Sequence, residues 1–247
     1  MKWIGYILSS VWRLWFLIIF ILLFFSFTPA LFFFTAIKKD HITVAHLTRY
    51  LSKLTLWLGF VFPLVEWEEK INKKERYIFC ANHVSSLDIP LILAVLPVPI
   101  QYIGKAEIAR IPIFGYFYKK NSVTVNRQNK KDSYTAFLEA GNRLKAGLNI
   151  CIFPEGGIPS ASVFLKKFKN GPFKLAILQD KSIIPITIAD NKSIFPQEYF
   201  KGHPGRVRIR IHKSIKYEKL TEKTVENLNT SVYNTIFDQL KNYEQKN

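Results

Sequence analysis

From Leu14 to Ile37 the chain runs 24 residues without a charged side chain, dense in Phe, Leu and Ile. As a helix this stretch would reach about 36 Å, against a bilayer hydrocarbon core of about 30 Å. It is too long for a signal-peptide core and carries no clean small-residue cleavage site. Pro29 is expected to kink or break it. Two arrangements fit. One is a tilted transmembrane helix. The other is a pair of shorter helices dipping into one leaflet, the second formed by Leu54 to Val65, 12 uncharged residues that include Trp57. Lys2 and Arg13 precede the apolar run, and Lys38, Lys39, Arg49 and Lys53 follow it. Positive charge on both flanks predicts an anchor on the cytoplasmic face of the inner membrane. Residues 1–60 therefore read as membrane-anchoring helices and 61–247 as a soluble domain.

The second part changes character. Apolar runs at Leu64–Glu68, Tyr77–Cys80, Ile100–Ile103, Ser122–Val125, Asn149–Phe153 and Ile183–Ile188 alternate with helix-like stretches at Ile89–Leu96, Ser133–Ala146 and Pro172–Gln179. Continuous apolar strands of this kind suit a sheet covered on both faces. The expected fold is α/β, a mostly parallel mixed sheet flanked by helices. Val207 to His212 alternates as an edge or half-exposed strand does. Val225, Leu228, Val232, Ile236 and Leu240 recur at helical spacing, which predicts a closing amphipathic helix packed on the domain.

Lys+Arg number 35 against 18 Asp+Glu, a net charge of +17. Such a surplus favours anionic partners, and the apolar N-terminus points to a membrane with anionic lipid. Nucleic acid also attracts this charge, but no recognised binding module is present, so no nucleic-acid partner is expected. Cys80 and Cys151 lie inside apolar runs and read as core residues. No Cys/His set has zinc spacing and no glycine-rich nucleotide fingerprint occurs, so neither a metal nor a bound cofactor is expected.

Three polar or glycine-rich loops fall where strands end, the place where sites collect in such sheets. The first is Asn82-His83-Val84-Ser85-Ser86-Leu87-Asp88. Five residues along a helix is about 500° of rotation, so His83 and Asp88 meet only if the chain turns between them. A strand before, a Ser-Ser loop and a helix after supply that turn. An imidazole held by a carboxylate is a general-base arrangement. A plainer reading stands beside it, with Asp88 as a helix N-cap and His83 bonded to backbone. The second loop carries Lys105, a surface lysine on its own but a point charge for phosphate if it lines a cleft. Arg127, after the strand ending at Val125, offers a bidentate fork. The third is Phe153-Pro154-Glu155-Gly156-Gly157. Glu155 offers a carboxylate to an acceptor hydroxyl, and the two glycines allow close backbone approach or a tight turn. Lys166, Lys167, Lys169 and Lys174 follow as a basic cluster.

These blocks resemble the glycerolipid acyltransferase superfamily, and most closely its 1-acyl-glycerol-3-phosphate acyltransferases. Asn82-His83 with Asp88, Lys105-Ala106-Glu107 through Ile111-Pro112-Ile113-Phe114-Gly115 with Arg127, Phe153-Pro154-Glu155-Gly156 and Ile184-Pro185-Ile186 follow the family's order. Phe168-Lys169-Asn170-Gly171 fits it too. The resemblance implies that His83 is the general base of an H-x-x-x-x-D motif and Asp88 its orienter. A lysolipid hydroxyl then attacks the thioester of acyl-CoA or an acyl-carrier protein, the co-substrate. It implies that Lys105 and Arg127 hold an acceptor phosphate, with Asn82, Glu155, Gly156 and Gly157 also at the substrate. The implied reaction converts 1-acyl-glycerol-3-phosphate to phosphatidic acid in phospholipid synthesis. One departure matters. Where the family's third block continues with threonine, arginine and serine, this chain has Gly157, Ile158 and Pro159, and Ser160 comes after them. An aliphatic side chain cannot replace a phosphate fork. Either Lys166 or Lys169 compensates, or the acceptor is a lyso-aminolipid such as a lyso-ornithine or lyso-glycine lipid. Outside this class stand a non-catalytic membrane-surface protein and a serine hydrolase using Ser85, Ser86 or Ser162. The hydrolase reading lacks a G-x-S-x-G elbow.

Overall fold

The computed structural model describes residues 2–126, 128–160, 162–217 and 222–245. Helix α1 (Lys2–Phe32) opens the chain and widens into a π-helical segment, Phe33–Ile37. Trp3–Ile37 is one continuous helix, long and apolar enough by length and composition to cross a membrane. The break expected at Pro29 does not occur, because α1 runs through it. A proline removes only its own donor and crowds one carbonyl, which a long helix tolerates by local adjustment.

Helix α2 (His41–Leu58) begins at Asp40, whose Oδ1 accepts the N–H groups of Ile42 and Thr43, each at 3.0 Å. It ends at Gly59, and Phe60 follows in the left-handed region at φ +57°. The second apolar helix expected over Leu54–Val65 is therefore corrected. Its first half closes α2, and its second half enters strand β1 (Val61–Trp67). Helix termini leave carbonyls without partners. Here α1 supplies them: Trp12 Nε1 donates to Gly59 O at 3.0 Å and Trp15 Nε1 to Leu58 O at 2.9 Å.

The remaining strands are β2 (Ile78–Ala81), β3 (Ile100–Lys105), β4 (Val123–Val125), β5 (Asn149–Ile152), β6 (Ile183–Ile188) and β7 (Gly205–Ile211). They form one sheet in the order β1-β7-β6-β2-β5-β3-β4. Every pairing is parallel except β6 with β7. The expected mostly parallel α/β sheet is the observed one. Strands β2, β5 and β6 are buried throughout, as a sheet covered on both faces requires.

One face packs under α3 (Asp88–Val95), through Leu91 and Ile92, and under Trp12, Phe16 and Leu56 of the N-terminal helices. The other packs under α5 (Lys130–Lys145), α6 (Gly171–Leu178) and α8 (Glu222–Gln245), with Ala140, Phe173, Val232 and Ile236 fully enclosed. The closing amphipathic helix thus lies on the domain. Helix α4 (Phe114–Asn121) has no counterpart in the sequence reading. It follows the 3-10 turn Ala106–Arg110 and packs Phe117 against Phe24 of α1.

Candidate active site

Strands β6, β2, β5 and β3 are neighbours and all run parallel, so their C-terminal ends share one edge of the sheet. At that edge the chain presents Asn191 after β6, His83 after β2, Glu155 after β5 and Lys105 at the end of β3. This is where open α/β sheets bind ligands.

The turn expected between His83 and Asp88 is present. Asp88 is the first residue of α3, and its side chain points back along the loop. Its Oδ2 accepts from His83 Nδ1 at 2.8 Å, from Val84 N at 2.7 Å and from Ser85 N at 2.9 Å. The plainer N-cap reading fails, because Leu87 holds the cap position and Asp88 bonds the preceding loop. A carboxylate only accepts, so the imidazole Nδ1 carries the hydrogen in this contact. The neutral ring then has its lone pair at Nε2, which makes no hydrogen bond among the described residues. The His83 side chain keeps 13% of its surface exposed while Asp88 keeps none. The ring lies flat on Phe153, with centroids 3.9 Å apart and planes at 14°, and Phe153 stacks in turn on Tyr102 at 5.7 Å.

A second imidazole–carboxylate pair, His212 Nδ1 to Glu68 Oε1 at 3.0 Å, also touches a hydroxyl, Thr187 Oγ1, at 2.8 Å. His212 is 5% exposed and Thr187 is sealed, so this pair joins strands where no substrate hydroxyl reaches.

Glu155 stands beneath the corner. Its Oε1 accepts from His83 N at 2.7 Å and its Oε2 from Lys166 N at 3.0 Å, with 1% of the residue exposed. Burial raises its carboxyl above the ordinary 4.5, against the pull of those two N–H donors. Asn82, fully buried, spends both ends of its amide on Ile188 at the end of β6, each bond 2.8 Å. The sequence reading set Asn82 and Glu155 against substrate. Here their polar atoms turn inward to backbone, because each strand end has N–H and C=O groups that the ladder leaves open. We expect Glu155→Gln to cost about 1–3 kcal/mol, since its amide must face one N–H with another donor. A carboxyl raised by burial contributes stability in full below about 4.5 and loses it as pH rises through the raised value. The gap between wild type and Glu155→Gln should therefore narrow with rising pH in urea titrations. A gap that widens would reject this account.

Gly156 sits at φ +80°, where a Cβ would lie 2.9 Å from Lys169 Cε and 3.0 Å from its Nζ. The glycine is required twice, by its backbone and by the lysine folded over it. Gly157 follows at φ +154°. Lys105 is exposed, with Nζ 3.5 Å from Glu107 Oε1. Arg127 lies outside the described residues. Ile158 is half-buried.

Ser85 and the two cysteines are disfavoured as nucleophiles. Ser85 is 1% exposed and its hydroxyl donates to Phe195 O at 2.5 Å. Burial pushes the thiols of Cys80 and Cys151 up, away from thiolate. No cluster of three or more metal-ligating side chains occurs among the described residues. Asn191, which the sequence reading missed, donates its Nδ2 to Asp88 Oδ1 at 2.7 Å. Nothing local in the sequence marks it, since it lies 103 residues from its partner.

Known proteins similar to this chain include several acyltransferases. A 1-acyl-sn-glycerol-3-phosphate acyltransferase of Borreliella burgdorferi is 27% identical over 190 residues, 76% of each chain. A Saccharomyces cerevisiae protein of the same name is 28% identical, over 84% of this chain and 69% of its own. A lyso-ornithine lipid O-acyltransferase of Pseudomonas aeruginosa is 25% identical, over 64% of this chain and 62% of its own. The crystal structure of the 1-acyl-sn-glycerophosphate acyltransferase PlsC from Thermotoga maritima shares the fold, with a TM-score of 0.79 at 23% identity over 99% of this chain and 98% of that one. The acyltransferase family model matches residues 63–189, a span that runs from β1 past the end of β6 and holds His83, Asp88 and Glu155. With just over half of its length matched, this chain belongs to the acyltransferase family.

Proposed function

We propose that the protein acylates the free hydroxyl of 1-acyl-glycerol-3-phosphate, drawing on an acyl thioester and giving phosphatidic acid. The observation that carries this reading is the His83–Asp88 contact at 2.8 Å, which leaves Nε2 available at the open end of the parallel strands. Nε2 takes the proton of the acceptor hydroxyl as its oxygen attacks the thioester carbonyl. The buried Asp88 carboxylate stabilises the imidazolium that results. Collapse of the tetrahedral intermediate breaks the C–S bond, and the imidazolium returns its proton to the departing thiolate. No side chain is acylated and no cofactor or metal enters. The donor is acyl-CoA or an acyl-carrier protein, since the chemistry needs only the thioester.

The acceptor phosphate is the finer question. Lys169 supports a phosphorylated acceptor: its ammonium folds over Gly156, one residue from the carboxylate that holds His83. With Lys105 at the end of β3, it offers positive charge on the same sheet edge without the usual arginine. Ile158 and the Pseudomonas relative favour a second reading, a lyso-aminolipid acceptor. A panel of lysolipids with labelled acyl-CoA and acyl-carrier protein, read by mass spectrometry, separates the two. We expect phosphatidic acid as the main product. Lys169→Ala should raise KM for lysophosphatidic acid about tenfold and Lys105→Ala less, with kcat nearly kept. Product from amino-acyl lysolipids alone would reject the phosphate acceptor.

A membrane location fits the same chemistry, because both lipids reside there. Trp12, Phe16, Ile19, Phe24 and Leu31 pack one stripe of α1 inward, while Trp3, Ile4, Ile7, Leu8, Val11 and Leu14 leave an exposed apolar stripe. A helix packed along one side supports a monotopic anchor dipping into the cytoplasmic leaflet. The net charge of +17 adds attraction to anionic lipid.

A further inference from the structure

Asp88 is held on both oxygens. The donors on Oδ2 all come from its own loop: His83 Nδ1, Val84 N and Ser85 N. Oδ1 has one partner among the described residues, the amide of Asn191, at 2.7 Å. A carboxylate with a single anchored oxygen can pivot about that oxygen. An anchor on the other oxygen stops the pivot and fixes the plane in which Oδ2 meets the imidazole.

Asn191 is fully buried, and its Oδ1 finds no partner. Turning the amide over would set that oxygen against the carboxylate, so the observed orientation is the one Asp88 dictates. Leaving a buried carbonyl oxygen unpaired costs stability. A fold that needed only a well-packed core at this position would meet the same volume with an apolar side chain and avoid that cost.

The segment that carries Asn191 is pinned on both sides. Ile188 before it is locked by Asn82, and Asp190 makes a paired contact with Arg208, Oδ1 to Nη2 at 2.6 Å and Oδ2 to Nε at 2.9 Å. Asn191 opens the short helix α7 (Asn191–Ile194). Just after it, the Phe195 carbonyl takes the hydroxyl of Ser85 at 2.5 Å, inside the catalytic loop. The Phe195 ring lies 4.3 Å beneath the Arg13 guanidinium of α1, and Arg13 Nη2 also bonds Pro196 O. The corner is thus gripped twice by residues 191–195, which rest on the N-terminal helix.

We propose that Asn191 is a positioning residue for acyl transfer, fixing the plane of the Asp88 carboxylate and through it the aim of His83 Nε2. The proposal rests on the reading of His83 as the base. It is tested with the full chain in detergent micelles, using lysophosphatidic acid and whichever thioester supports turnover. Asn191→Ala should lower kcat about 10- to 100-fold, the usual effect of losing a group that orients a functional side chain. KM for both substrates should stay within about twofold of wild type.

Asn191→Asp supplies the readout that a purely structural residue would not move. Two carboxyls this close hold one proton between them. While the proton is shared, one of them donates and the anchor survives. Once it is lost, they repel. This variant should work at acid pH and fail as pH rises, adding an alkaline limb that the wild-type amide cannot produce. Wild-type kcat in Asn191→Ala overturns the proposal, as does a wild-type pH profile in Asn191→Asp. Loss of the folded state in both variants at every pH also overturns it, since the contact would then belong to the core. Full activity in His83→Ala would instead remove the underlying reading, whatever the Asn191 variants do.

Discussion

His83→Ala is expected to lower kcat about 1,000-fold, within the range for removing a positioned general base. The ring has two jobs: it takes the hydroxyl proton at Nε2 and fills the space above Phe153, where the centroids lie 3.9 Å apart. Only the first concerns rate. KM for both substrates should change little, because the imidazole gains its value as the proton moves. The backbone N–H of His83 still reaches Glu155 at 2.7 Å in the variant, so the loop keeps its anchor. Thermal unfolding checks this, with a shift of a few degrees expected. Acyl transfer within threefold of wild type would sink the catalytic assignment and revive a non-enzymatic membrane-surface role.

Asp88→Asn should cost nearly as much, a factor of about 100 to 10,000, and it should also destabilise the fold. An amide has one oxygen where Asp88 uses two. With that oxygen in the place of Oδ2, the three donors of the loop keep an acceptor, but the NH2 group meets the NH2 of Asn191. With the amide reversed, the NH2 faces all three loop donors. In each arrangement at least one buried donor is left facing another donor, unless Asn191 turns its amide over and moves its NH2 to the place where its Oδ1 now has no partner; the cost is about 1–3 kcal/mol. The imidazolium also loses its counter-charge, the effect that makes such carboxylates matter in other His-dependent enzymes. Urea unfolding and turnover on the same preparation separate the two losses. A variant that is destabilised yet turns over within threefold of wild type would show that Asp88 only braces the loop.

The order of elements was legible from local pattern. All seven strands stand where apolar runs or strict alternation place them, give or take a few residues. The runs at β2, β5 and β6 announced their double burial, because no charged residue interrupts them. The boundary between α2 and β1 was not legible. Leu54 to Val65 is uncharged and almost wholly apolar, with Thr55 its one polar side chain, and periodicity cannot divide a run with so few polar positions to mark a face. The break lies at Gly59 and Phe60, where the backbone enters the left-handed region and two tryptophans from α1 cap the helix end. α4 escaped for a related reason: its partner is Phe24, some ninety positions upstream, and eight residues carry little periodic signal of their own.

What the sequence by itself determined is the chemistry that could be assembled: a histidine and an aspartate separated by a turn, three loops at strand ends, a charge-free segment suited to lipid. These are local properties, written in residue type and spacing. What only the tertiary structure decided is which polar groups face the open edge of the sheet and which are tied to other parts of the chain. Glu155 and Asn82 are tied to backbone in the structure, Glu155 to the N–H groups of His83 and Lys166 and Asn82 to Ile188, and two of these partners lie 72 and 106 residues away along the chain. Asn191 looked like nothing at all. Hydrogen-bond partners in a parallel sheet come from crossovers that bring distant strand ends together, and spacing along the chain carries no record of that meeting.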